Sequence, residues 1–314
     1  MQLYSIEPSA FSARTAARDK VSFQVNASAL SPRAPTRGGG FERVGNIAVV
    51  RIGGILLTQP DFVDQFMGGF ADTRDIGRQV EAAGDDSAVK AILLRVDSPG
   101  GSVDGLSELG DAVTRARHRK PVIAAVEGMA ASAAYYAIAG ATEIVAARMD
   151  MVGSIGTIVV VYDASEAAKS AGLRVVPIAT GKYKATGSFG TPLTADEQAY
   201  LQSIVDVYFD DFRRQVMSGR GRFVGPAEWS EVSDGRVFVA PEAQRLGLVD
   251  RLGTFGATLR RLQGENLSPS QRVQARTQRS ALAVDEINQR HWAETRACKQ
   301  RACVQRAELR TARR

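Results

Sequence analysis

Short apolar runs alternate with amphipathic stretches over most of this chain. NIAVVRIGGIL (46–56) predicts a strand leading into a glycine turn, VKAILLRVDSPGG (89–101) a buried strand ending in another, and PVIAAVEG (121–128) a third. Between them, TRDIGRQVEAAGDD (73–86) places Ile76, Val80 and Ala83 at helical spacing, and GLSELGDAVTRARHR (105–119) does the same with Leu106, Leu109 and Val113. GMAASAAYYAIAGA (128–141) opens the next helix. EIVAA (143–147), GTIVVVYD (156–163) and RVVPIATG (174–181) predict further strands, with a helix over SEAAKSAGL (165–173). Residues 194–219 predict one long amphipathic helix carrying Leu201, Ile204, Val205, Tyr208 and Phe212, and GRVFVAPEAQRLGLVDRLGT (235–254) closes the domain. Strands this continuously apolar are buried on both faces. The predicted class is therefore α/β, a largely parallel sheet with helices on both faces.

The flanks differ. Residues 1–43 form a polar arm and linker ending near SPRAPTRGGG, residues 44–263 the predicted domain, and residues 264–314 a Gln/Arg/Ala-rich tail read as a solvated helix or disordered. The net charge of +6 belongs to that tail: residues 268–314 hold 11 Lys/Arg against 4 Asp/Glu, leaving 29 against 30 in the rest. Nucleic-acid binding is thus not expected of the body, and only the tail retains that option. The two cysteines, Cys298 and Cys303, make no disulfide framework and would not share a helical face, so no metal site is implied and a reducing compartment is expected. The first 20 residues lack a signal-peptide pattern. The longest apolar-rich run, 121–147, is interrupted by Glu127 and Glu143 and reads as core rather than a membrane span.

Three segments carry candidate chemistry. DSPGGS (97–102) ends a buried strand, and its two glycines, Gly100 and Gly101, allow a close approach and expose backbone N–H groups of the kind that hold an oxyanion. The alternative is an ordinary strand-to-helix turn. Ser132 lies just beyond strand 121–128, where α/β folds gather ligands, and could equally be a small packing residue. A serine nucleophile needs a base. His118 sits in the charged run RARHRK and His291 in the tail, so a Ser-His-Asp triad is not indicated and a lysine remains. GKYKATG (181–187) supplies Lys182 and Lys184, which taken alone would be solvated loop lysines.

SPGG, GMAASAAYY, VGSIGT (152–157), GKYKATG and GRVFVAPEAQRLGLVD follow one another in this order. Over about residues 44–262 the chain resembles the signal peptide peptidase A family of serine peptidases, which implies a Clp/crotonase-like fold of repeated ββα units and a Ser-Lys dyad. Carried onto this chain, the resemblance implies Ser132 as nucleophile, Lys184 as general base with Lys182 the weaker candidate, and Gly101 and Ala133 N–H groups as the oxyanion hole. Gly100 and Ser154 would support them. The family often has Gly-Gly after the serine; here Ala133 and Ala134 stand there, and Ala133 still offers an N–H.

Within the family the chain looks most like soluble phage and prophage head-maturation proteases. That implies a polypeptide substrate such as a capsid scaffold or portal protein, a homo-oligomer whose dyad can be shared between protomers, no cofactor, no membrane partner, and a bacterial cytosol or prohead location. Three other readings stay open: a general cytosolic peptide-degrading relative, a crotonase-like acyl-CoA enzyme using Glu127, and a catalytically idle capsid scaffold.

Overall fold

The computed structural model describes residues 4–6, 40–60 and 69–264. Strands β3 (Ile47–Leu57), β5 (Ala91–Ser102), β6 (Val122–Ala131), β7 (Glu143–Ala146) and β10 (Arg251–Leu252) pair in parallel in the order β10-β7-β6-β5-β3, and β2 (Glu42–Val44) adds an antiparallel edge. Their near-continuous apolarity has the expected cause. Ala48, Val50, Ile92, Leu94, Ala124 and Ile144 point to one face, in a cluster with residues of helices α1 (Thr73–Asp85), α2 (Leu106–Arg117) and α3 (Ala133–Ala139). Alternate residues Ile47, Leu93, Ile123 and Val145 point to the other, beneath Phe255, Leu259 and Leu262 of α8 (Phe255–Leu262). The predicted largely parallel sheet with helices on both faces is what forms.

The strands do not end where the glycine turns suggest. Register shifts between Gly53 and Ile55 in β3, and between Val96 and Ser98 in β5, bend each strand, which then runs on. β6 leaves β7 after Val126 and pairs with β8 (Met151–Gly153) from Met129 to Ala131. The post-bend halves of β3 and β6 pair in parallel with β4 (Phe70–Asp72) and β8, and β9 (Val237–Val239) pairs antiparallel with β8. Strand, bend, second strand and helix recur as a unit. Residues 128–131, expected to open a helix, are therefore strand, and α3 starts at Ala133.

The long predicted helix is α5 (Ala195–Arg220), started by a capping box between Thr194 and Glu197. It packs through Leu201, Phe212 and Val216, with Phe212 edge-on to Tyr136 at 5.3 Å. Burial, then the hydrogen bond from its hydroxyl to Asp211 at 2.6 Å, hold Tyr136 well above the usual tyrosine range, so it is a neutral donor. At its C-terminal end, fully buried Arg220 donates to Asp250 at 2.7 Å, and Asp250 accepts from the Ile144 N–H at 2.7 Å, tying helix to sheet. Helices α6 (Pro226–Val232) and α7 (Ala240–Arg245) complete this end.

Between Gly153 and α5 the expectation fails. No strand forms over 156–163 beyond a single bridge at Ile158, none over 174–181, and the helix α4 is only Ser165–Ser170. Apolar alternation predicts a strand only where a sheet edge accepts it. Val175, Val176 and Ile178 have none here, and Ile178 is 97% exposed. Among the described residues no helix is long and apolar enough to cross a membrane. The chain divides into units Met1–Gln263 and Gly264–Arg314; the tail with His291, Cys298 and Cys303 lies outside the described residues.

Candidate active site

The bends bring the candidate residues together. Pairing of Ser98 with Ala130 sets the second half of β5 beside the end of β6, and pairing of Ala131 with Gly153 sets β8 on its other side. Gly100–Gly101 lie near the end of β5, and Ser132 and Ser154 directly follow β6 and β8.

Ser132 turns the chain from β6 into α3 at φ 53, ψ −119, a region a non-glycine residue enters at roughly 1–3 kcal/mol. The surroundings impose it. The Ser132 N–H donates to the Gly153 carbonyl at 2.8 Å, and its own carbonyl accepts from the Tyr136 N–H at 2.9 Å. Ser132 is 1% exposed, stands at the N-cap of α3, and makes no side-chain capping bond to that helix. A serine at a tight strand-to-helix turn whose hydroxyl does not cap the helix suits a nucleophile better than a packing residue. Ala133 follows as the first residue of α3, where a helix leaves N–H groups without intrahelical partners.

Gly101 has no room for a side chain: a Cβ there would lie 1.8 Å from the Leu56 carbonyl oxygen of β3. Gly100 sits at φ 103, which favours glycine. Buried Ser98 fixes this stretch, donating to the Gly54 carbonyl at 2.6 Å while accepting from the Gly100 N–H at 3.2 Å. Sequence reasoning passed over Ser98, although it lies inside DSPGGS. It also passed over Asp150, whose carboxylate accepts from Gly128 at 3.0 Å and Ala147 at 2.6 Å, clamping β6 to the turn before β8. The only signal was its place two residues before VGSIG.

Ser154, at φ 49, is held by its N–H donating to the Arg236 carbonyl at 2.6 Å. Ser132 and Ser154 line one cavity of about 460 Å³, walled by Gly156, Ile158 and, from α5, Val205 and Phe209. No lysine, arginine or histidine is among the described residues lining it.

Neither Lys182 nor Lys184 is among the residues lining that cavity. Both belong to an exposed stretch, and the Tyr183 between them stacks on Tyr200 of α5 at 4.7 Å. Lys182 donates to Asp196 at 2.5 Å, and that bond holds its ammonium above the usual lysine range, the opposite of what a base needs. Among the described residues Lys184 has no such carboxylate partner. His118 lines a separate surface pocket with Glu81, Asp85 and Arg119. Glu127, the acid the crotonase-like reading would use, is ion-paired with Arg95 and is not among the residues lining the Ser132 cavity. Among the described residues no group of three or more metal-ligating side chains occurs.

Residues 114–267 match the profile of Peptidase family S49. A protein of Methanocaldococcus jannaschii described as a candidate protease is 36% identical over 178 residues, 57% of each chain. Protease 4 of Haemophilus influenzae is 32% identical over 211 residues, 67% of this chain and 33% of its own. Capsid assembly protease C of Escherichia phage lambda is 28% identical over 218 residues, 69% of this chain and 49% of its own. The chain spans less than two thirds of the length of these relatives. The profile match takes in Ser132, Ser154 and Lys184 and four of the five ordered motifs, SPGG lying before it: residues 114–267 carry a domain of peptidase family S49.

Proposed function

We propose that the chain is a serine endopeptidase in which Ser132 attacks a peptide carbonyl, with Lys184 as the base. Neutral Lys184 takes the Ser132 proton, Oγ bonds to the carbonyl carbon, and the Gly101 and Ala133 N–H groups receive the oxyanion. The protonated amine then gives its proton to the leaving nitrogen as the C–N bond breaks. Water repeats the sequence on the acyl-enzyme. The observation carrying this reading is the strained, buried turn at Ser132, set between the Gly100–Gly101 strand and Ser154 at the wall of a cavity.

No lysine or histidine is among the described residues lining the cavity, whose titratable groups are Asp206 and Asp234, and Lys184 rides on an exposed stretch rich in uncovered apolar residues. Both features favour a homo-oligomer in which one protomer's Lys184 reaches another's Ser132. The lambda relative, matched over 69% of this chain, favours a capsid-assembly protein as substrate. The pairing of Glu127 with Arg95 disfavours the acyl-CoA reading.

A fluorophosphonate probe on the native protein, with the site mapped by mass spectrometry, is expected to tag Ser132. Labelling of another serine, or equal cleavage of a co-expressed scaffold by the native chain and Ser132→Ala, would remove the assignment. The same comparison separates an active protease from an idle scaffold.

A further inference from the structure

The second half of β5 has two edges. β3 takes one as far as Gly101, through Ile55 opposite Gly100 and Leu56 opposite Gly101. β6 takes the other only to Ser98, because beyond Ala130 the chain turns at Ser132 into α3. The edge left beside that turn, Gly100 to Ser102, is occupied by β1 (Tyr4–Ile6). It runs antiparallel, with Tyr4 opposite Ser102, Ser5 opposite Gly101 and Ile6 opposite Gly100.

We infer that this edge is the subsite that receives the backbone of an extended polypeptide substrate, and that Tyr4–Ile6 fills it as a pseudo-substrate strand which a substrate must displace. The inference rests on Ser132 being the nucleophile. A strand edge binds any extended peptide through main-chain N–H and C=O groups, whatever its side chains, so the chain's own segment and a substrate compete for the same bonds. Here the edge contains Gly101, whose N–H is assigned to the oxyanion, and lies alongside the residue that attacks. A strand three residues long makes few bonds, so it can leave without unfolding the domain.

The test uses the full chain, a form lacking residues 1–7, and Ser5→Pro, which removes a backbone donor in the strand. In both altered forms the amides of Gly100–Ser102 are expected to exchange with deuterium roughly tenfold faster, and Ser132 to react with a fluorophosphonate roughly tenfold faster, the scale set by losing one or two net backbone bonds. A synthetic peptide of residues 1–8 should slow labelling of the truncated form. Unchanged exchange at Gly100–Ser102 in both forms overturns the inference whatever the labelling shows. Faster exchange with an unchanged labelling rate overturns the pseudo-substrate role. Faster exchange with Ser132 unlabelled in every form leaves the strand contact standing and removes the nucleophile reading instead.

Discussion

The Ser132 side of the site and the Lys184 side are built in opposite ways. Ser132 is 1% exposed, pinned by strand pairing on both sides and by backbone bonds from Gly153 and Tyr136. The stretch from 157 to 193 has one short helix, no strand, and Tyr162, Leu173, Val176, Ile178 and Phe189 turned outward. A single copy thus orders the turn at Ser132, while Lys184 is not among the residues lining the cavity beside it. On the proposed reading, the exposed apolar stretch is what a neighbouring protomer covers.

The largest effect is expected at the ordered side. Ser132→Ala should lower peptidase activity by roughly a million-fold, with the melting curve of the native chain retained, since a small buried side chain is replaced by a smaller one. Activity that survives would mean that the well-built half is only a scaffold.

At the other side, Lys184→Ala should cost roughly 100- to 10,000-fold in kcat, the range of a general base, whereas Lys182→Ala should change activity by only a few fold because Lys182 is already bound to Asp196. Mixing Ser132→Ala chains with Lys184→Ala chains sharpens the contrast further. Shared dyads regain part of the native rate in the mixture, and dyads closed within one chain regain none.

The frame that holds the nucleophile can be tested by stability alone. Asp250→Ala strands the Arg220 guanidinium, whose side chain is 1% exposed, and should cost about 3–5 kcal/mol in a denaturant titration. Replacing the pair together, Arg220→Met with Asp250→Ala, should recover much of that loss. Equal losses in the single and double variants would show that the lost acceptor for the Ile144 N–H, rather than the stranded guanidinium, is what matters.

The same contrast governs what the sequence revealed. Ile47–Leu56, Ala91–Val96 and Val122–Val126 were legible because burial on both faces leaves an unbroken apolar run, and the first two helices because Ile76, Val80, Leu109 and Val113 face one core. The bends at Gly53, Val96 and Val126 were not, because a bend is a property of the neighbouring strand's register and leaves only a glycine or a serine behind. Ser98 and Asp150 were missed for a related reason. Each acts on backbone groups distant in sequence, and no spacing rule marks such a partner. Over 156–163 and 174–181 the apolar pattern was read as strand, and no strand forms there because no sheet edge takes it up. Pattern records the wish for a partner, not its presence.

The smallest effect is expected where the two sides meet, at the cap of α5. Thr194 accepts from the Glu197 N–H at 3.3 Å, while Glu197 accepts from the Thr194 N–H at 2.9 Å and hydroxyl at 2.8 Å. Thr194→Ala should destabilise by about 1 kcal/mol, and Thr194→Ser by much less, because the serine hydroxyl can take the same bonds. The bonds from Thr194, its backbone N–H first, hold the Glu197 carboxyl below the usual 4.5. A depressed carboxyl adds stability above its unfolded value and loses it as pH falls through the folded one, so this contribution fades below pH 4.5. Because the hydroxyl supplies part of that bonding, the gap between native chain and Thr194→Ala should narrow in acid. A gap constant from pH 7 to pH 3 would mean that the cap works through helix geometry alone. Val205 and Phe209, the α5 residues that wall the cavity, lie more than two turns from this cap, so peptidase activity near neutral pH should stay level in both variants.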